Sequence, residues 1–412
     1  MSEKNVILYV GGFELPDKNA AAHRVSANAK IFKSLGYEPA FLGYDKSLET
    51  GVDVVSTRTQ YFNFDSWAQP YPSGKLAWFK QTVSTANIKA LVNGPLAGRV
   101  HSIICYNYPA ISQIRLQGFC RRRSIHLVAD STEWYSQYGK KSIHAAVKDF
   151  DTALRMNYVN KKVDGLILTS PYLEEYYKAS CKTTVVLPTL YDLDSRVERP
   201  TLIKGLPDNT PVKFLYAGSP FVLNLLNADR SNVKDRTDTV IDIFSHLLPT
   251  HNNFQLDLIG LTKDNFLLAF PEFKSKLEAL GDRVIFHGRQ PHSTVIDMLQ
   301  SANFSIFIRH LNRTIEAGFP SKFSESMTFG TPVISNIYSS VSEFVDEGNN
   351  HYALPLGDLN GQVEKMKTIL SQPKTEHERM KKFCHDNPIF DYRAFSAVTS
   401  EFLKKLDAQK TR

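Results

Sequence analysis

Residues 309–335 read RHLNRTIEAGFPSKFSESMTFGTPVIS, and their pattern decides the fold. An apolar run, FSIFIR, closes at Arg309, and a loop follows through Gly318 and Phe319. Pro320 suits the first turn of a helix, where its missing N–H has no partner to lose. Phe323 and Met327, four apart, fall on one helical face. Gly330 stops the helix, and Thr331-Pro332 leads into the next strand. This order sets a helix N-terminus at the carboxyl end of a strand, so free N–H groups and the positive dipole end face whatever binds there. That is a place for phosphate. Lys322 in the first turn adds a full positive charge, and Glu325, three residues on, is placed to accept hydrogen bonds from hydroxyl groups. The plain alternative is a surface Lys–Glu pair.

The same alternation extends over the chain. NVILYV, EPAFLGY, HSIICY, HLVAD, GLILTS and TTVVL form one series of strand-like runs; KFLYAG, QLDLIG, RVIFHG, FSIFIR and TPVIS form a second. Their continuous apolar character suits strands buried on both faces. Helical patterns lie between them, as at 20–35, where Ala22, Val25, Ala29 and Phe32 share a face and Gly36 marks the stop. Strand and helix in alternation predict an α/β fold of parallel, doubly wound sheets. A proline- and charge-rich stretch near 188–212 separates the series. Two Rossmann-like domains are expected, 1–195 and 196–392, with their ligand in the cleft between them.

Composition agrees. A chain of 412 residues exceeds what one core usually supports. No window of roughly 18 apolar residues is present to span a membrane, and the start, MSEKNVILYVGG, lacks the order of a signal peptide; the cytoplasm is the expected compartment. Cys105, Cys120, Cys181 and Cys384 have no paired spacing, which argues against a zinc site or disulfide framework. The formal net charge of +7 is concentrated in 1–195 and 393–412, whereas 196–392 is slightly acidic. A basic face favours anionic partners; no motif or aromatic–basic array points to nucleic acid.

The 309–335 string resembles the donor-binding signature of family 4 glycosyltransferases, in the branch that keeps a Pro-x-Lys-x-x-Glu core. The matching residues are Gly318, Phe319, Pro320, Lys322, Glu325, Gly330 and Pro332-Val333-Ile334. The resemblance implies a GT-B fold, retention of anomeric configuration, and a nucleoside-diphosphate sugar as donor, with Glu325 on its ribose. The family separates its paired glutamates by seven residues. Here Glu316 and Glu325 have eight between them, which puts Ala317 in register.

The resemblance also implies further contacts. Gly218 ends the first strand of the second domain, as in the family, but Ser219 and Pro220 stand where an arginine is expected. Lys234 resembles the family's diphosphate-gripping lysine, and Arg309 is a candidate for the missing charge. Gly288 in VIFHGR would approach the base. In the first domain, Gly12 and Arg24 would approach the donor phosphates, and Glu133, beyond strand HLVAD, would bind acceptor or sugar hydroxyls beside Trp134. Lys322, Arg309 and Glu133 are the catalytic candidates. Asp192 and Asp194 lack the further oxygen ligands of a cation site, and no metal is expected.

The last helix, with Phe395, Val398, Phe402 and Leu406 at helical spacing, would cross back to the first domain, as GT-B folds do. The basic first half and tail would rest on an anionic membrane carrying a lipid-linked acceptor; a glycan is the other acceptor class. Two alternatives stay open: an epimerase of the same fold, and a non-catalytic nucleotide-sugar binder, which Ser219 and the displaced Glu316 would favour.

Overall fold

The computed structural model describes residues 4–16, 18–134, 143–193, 210–223, 226, 230 and 233–409. The first eight strands are β1 (Val6–Gly11), β2 (Glu38–Asp45), β3 (Thr59–Tyr61), β4 (Phe64–Pro70), β5 (Val100–Tyr106), β6 (His126–Ser131), β7 (Gly165–Leu168) and β8 (Thr184–Val186). They form one sheet in the order β3-β4-β2-β1-β5-β6-β7-β8, parallel throughout except where β3 meets β4. The next six are β9 (Val212–Ala217), β10 (Phe254–Ile259), β11 (Val284–Gly288), β12 (Phe304–Ile306), β13 (Val333–Ser335) and β14 (His351–Ala353). They form a second, wholly parallel sheet in the order β11-β10-β9-β12-β13-β14.

Every run read as a strand is one. The sequence reading missed β3, β4 and β14. β3 and β14 have three residues each, too few to display a period. β4, FDSWAQP, carries few of the β-branched residues that mark a strand.

Both sheets are doubly wound. Strand order reverses between β1 and β5 in the first and between β9 and β12 in the second, and ligands of such sheets sit at the carboxyl ends of strands around these points. The helix Ala20–Ser34 leads away from that edge after β1; Asn19 caps it, accepting from the Ala22 N–H at 2.9 Å, and the predicted face of Ala22, Val25, Ala29 and Phe32 is buried. Two clusters line the faces of the second sheet, a large one and a small one around Leu215, Ile259 and Leu299, and two line the faces of the first. All four cysteines are free and buried. Among the described residues no helix is long and apolar enough to cross a membrane.

The chain crosses between the domains twice. Tyr191 N–H donates to Phe390 O and Tyr392 N–H to Tyr191 O, so the outgoing and returning segments are tied together. The final helix, Ser396–Ala408, then lies on the first domain, with Phe402, Leu403 and Leu406 buried in its core. Gly165 leaves room for this packing: a β-carbon there would sit 2.9 Å from the Phe402 ring. Val398, expected on the buried face, is exposed. Much of the predicted linker, including Asp194, lies outside the described residues.

Candidate active site

The helix Ser321–Thr328 has Pro320 as its extended N-cap, one position before the first turn in which the sequence placed it, and ends before Gly330, whose φ of +77° is the left-handed turn that glycine favours. Ser321 is exposed, and among the described residues the Ser321 and Lys322 N–H groups have no protein acceptor. The N-terminus is therefore open. Its neighbour is the end of β9: a β-carbon on Gly218 would lie 3.0 Å from Lys322 Nζ. Glycine is needed there because the ammonium occupies the space of a side chain.

Lys322 Nζ forms an ion pair with Asp235 and lies 4.3 Å from the centre of the Tyr216 ring. The Asp235 carboxylate, buried, also accepts from Arg309 Nε at 2.7 Å and from the Tyr216 hydroxyl at 2.9 Å. Burial pushes Lys322 down to about 8; Asp235 opposes the change and Arg309 adds to it. Burial by itself would raise Asp235, but Lys322 and Arg309 hold it well below the usual carboxylate range. The cluster of two cations and one anion carries a net positive charge in a partly desolvated place, which is what an incoming diphosphate needs.

Arg309 itself does not face the groove. It is buried, its Nε is held by Asp235 and its Nη1 donates to the Tyr338 hydroxyl at 3.3 Å. Asn336 clamps its backbone, accepting from Arg309 N–H and donating to Arg309 O. The expectation of direct contact with the donor is corrected: Arg309 positions Asp235, and through it Lys322.

The first domain meets this corner through the segment before the helix. Thr169 Oγ1 and Ser170 Oγ both donate to Ala317 O, at 3.1 and 3.0 Å, and Thr314 Oγ1 donates to Trp134 O at 3.0 Å. The Arg313 guanidinium lies over the Trp134 ring. Gly318 is buried in this contact; a β-carbon there would be 3.8 Å from Thr132 O. Glu133, just beyond β6, consequently faces the second domain and lies 3.8 Å from Lys234 Nζ. Burial raises the Glu133 carboxyl above its ordinary value, against the pull of Lys234, Arg309 and Arg155. Glu133 and Lys234 thus oppose each other across the groove, beside the helix N-terminus.

Glu325 Oε1 lies 2.9 Å from His292 Nε2, within hydrogen-bond distance, and the His292 ring lies 5.7 Å from His23 of the first domain. Gly12 is exposed at the end of β1, and Ser219 is exposed just past Gly218. Gly288, with φ +62°, accepts from Gly260 N–H and ties the ends of β11 and β10 together.

Two other expectations are corrected. Arg24 is buried; its Nε and Nη2 bond Asp130, and its Nη1 bonds Leu187 O and Pro188 O. Each of its three nitrogens is already bonded and the side chain is buried, because the first helix turns it into the sheet and away from a phosphate in the groove. Phe319 packs on Phe323, Phe344 and Phe390 and serves the core. Glu316 accepts from Ser339 Oγ, whereas Ala317, the in-register position, is buried against the first domain. Trp134 is likewise buried, and Asp192 pairs with Lys30. Tyr216, Arg155 and His292, and the pairing of Asp235 with Lys322 and Arg309, were not foreseen. Only the acid beside Lys234 hinted at them, and its partners lie 74 and 87 positions away.

Comparison with known proteins identifies the second half. Residues 224–383 match the family model described as Glycosyl transferases group 1. Over these residues, somewhat under half of the chain, it is similar to that family. No curated protein matches in sequence. Among solved structures, the chain is similar to sucrose-phosphate synthase from Thermosynechococcus elongatus, with 16% identity and a TM-score of 0.69 over 98% of this chain and 100% of the other. It is similar to Anabaena HepE, solved in complex with UDP and glucose, with 12% identity and a TM-score of 0.60 over 97% and 99%. It is also similar to WaaG, a glycosyltransferase involved in lipopolysaccharide biosynthesis, with 11% identity and a TM-score of 0.57 over 95% and 99%. These likenesses show the fold: two Rossmann-like domains in the GT-B arrangement.

Proposed function

We propose that this chain transfers a sugar, with retention, from a nucleoside-diphosphate sugar to a glycan or lipid-linked acceptor. The observation that carries the reading is the open N-terminus of helix Ser321–Thr328, with Lys322 beside Gly218. Cleaving the bond from sugar to phosphate develops negative charge on the departing diphosphate. The Ser321 and Lys322 N–H groups, the Lys322 ammonium and Lys234 across the loop are fixed donors for that charge. They act without a metal in this reading. Glu325 holds the ribose, releasing His292. Gly12, Ser219 and Gly288 let the donor approach backbone at three strand ends. The complex of HepE with UDP-glucose supports this donor class.

Glu133 lies on the acceptor side of the groove and accepts a hydrogen bond from a hydroxyl of the acceptor or the transferred sugar. In this reading no carboxylate acts as a nucleophile, and the acceptor attacks from the face that the diphosphate leaves. Its proton passes to the departing phosphate.

A surface of the first domain favours an acceptor held at a membrane. The helix Gly74–Val83 buries none of its residues; Leu76 is 68% and Phe79 50% exposed, with Lys75 and Lys80 beside them. It packs on helix Ala110–Arg122, whose Ile111 and Ile114 are also exposed, and beyond that lies exposed Phe150. Apolar side chains among lysines fit an anionic bilayer, and the Ala110 N–H, bonded to Asp151 at 2.8 Å, ties helix Ala110–Arg122 to the helix Ile143–Leu154 that carries Phe150. The enzyme would work at the cytoplasmic membrane face.

The test is a screen of nucleotide sugars by thermal shift, followed by transfer assays with Lys322→Ala and Glu325→Ala. Wild-type donor affinity and turnover in both variants would refute the site.

A further inference from the structure

The final helix docks on the first domain at the edge opposite the groove, and a polar cluster marks the seam. His101 is the second residue of β5, and His126 opens β6. These strands are parallel neighbours, with Ser102 paired to His126, so both imidazoles arise at one sheet edge. Asp407 reaches them from the last turn of the helix. Asp407 Oδ1 is 2.8 Å from His101 Nε2 and 3.6 Å from His126 Nε2. One ligand atom from each of the three residues lies within 4.8 Å of the others.

We propose that His101, His126 and Asp407 bind a divalent transition metal of the zinc class, which fastens the final helix to the first domain. A tetrahedral ion with bonds of about 2.0–2.1 Å keeps its ligand atoms roughly 3.3–3.4 Å apart. The distances to Asp407 fall on either side of that spacing, so small rotations of three side chains suffice. Two imidazoles and one carboxylate suit zinc, nickel or cobalt rather than magnesium or calcium, which prefer oxygen. Ser102 Oγ lies 2.6 Å from His101 Nδ1, and such an outer bond fixes the tautomer that leaves Nε2 for a metal. His126 is buried, whereas Asp407 is about half exposed. The ion would enter from the Asp407 side, and water would complete its shell. The site is remote from the Lys322 corner, and its role is structural.

The test uses the full chain after dialysis against a chelator, without donor. Titration with Co2+ should give the visible absorption of a tetrahedral complex at one equivalent, and Zn2+ should displace it and raise the melting temperature. His126→Gln and Asp407→Asn should each weaken Co2+ binding by roughly 100-fold, at the upper end of what outer-shell changes do. Asp407 is half exposed, so Asp407→Asn retains the fold even if a histidine variant does not. Mg2+ should leave the melting temperature unchanged. Absence of the tetrahedral spectrum, or an equal spectrum in Asp407→Asn, would overturn the proposal and leave a hydrogen-bonded seam. Neither result bears on the transferase reading, which is measured by donor binding.

Discussion

Lys322 and Asp235, 87 positions apart in the chain, form an ion pair at the switch point of the second sheet. Asp235 is fully enclosed, and Arg309 and Tyr216 hold its remaining lone pairs. The carboxylate therefore fixes where the ammonium stands. Lys322→Ala should leave Asp235 paired with Arg309 and the fold intact, while lowering kcat by about 10²–10³-fold if this charge meets the departing diphosphate. Steady-state kinetics with the identified donor would check it. Asp235→Ala is a different lesion: it strands a buried arginine, and chemical denaturation should report a loss of about 3–5 kcal/mol.

The same pair predicts a pH dependence. Burial brings Lys322 down to about 8 in the free protein, so its charge fades as pH rises through that value. Donor binding should weaken above pH 8, because a neutral amine no longer attracts the diphosphate. The effect on stability has the opposite sign: between about 8 and the ordinary lysine value the unfolded chain binds more protons, so this one group makes folding more favourable as pH rises. Lys322→Arg, whose charge persists, should flatten the alkaline limb of the donor KM profile. A limb unchanged in that variant would assign the titration elsewhere.

Glu325 is bonded to His292 at the mouth of the groove. If it receives the ribose hydroxyls, Glu325→Ala should raise the donor KM by about 10–100-fold, the worth of a charge-assisted hydrogen bond of 1.5–3 kcal/mol. His292→Ala should have a smaller effect or tighten binding, since it frees the carboxylate. Calorimetric titration of the nucleoside diphosphate alone separates this from an acceptor effect.

Arg24 supplies a control from outside the groove. Its ion pair with Asp130 is buried, and Arg24→Met should cost about 3–5 kcal/mol of stability through the stranded carboxylate. Donor KM measured well below the melting temperature should stay at the wild-type value. A selective rise in KM would restore the phosphate contact first expected of it.

Leu76 and Phe79 gain only if something covers them. Sedimentation with acidic vesicles should capture the protein in low salt, and Leu76→Ser with Phe79→Ser should release it, since burying each side chain contributes about 1.5–3 kcal/mol. Melting temperature should not fall, because both side chains are exposed. Equal capture of the double variant would refute the membrane surface.

What the sequence determined by itself was local. The period of the apolar runs fixes β1, β2 and most of the strands after them, since a strand buried on both faces has no polar alternative. Pro320 and Gly330 fix the ends of one helix because each residue's backbone allows little else. Hence the open N-terminus and the place of Lys322 could be read from residues 309–335. Tertiary structure alone decided which partner each charge takes and which groove it borders. Arg24 and Lys322 are both basic residues near a helix start and both pair with a buried aspartate, yet Asp130 holds Arg24 inside the first sheet whereas Asp235 holds Lys322 beside Gly218 at the groove. A charge's partner depends on how distant strands register, and no nearby residue encodes it. The final helix shows the same limit: its apolar spacing is visible in the chain, but the meeting of Asp407 with His101, 306 positions away, follows only from the helix crossing back onto the first sheet.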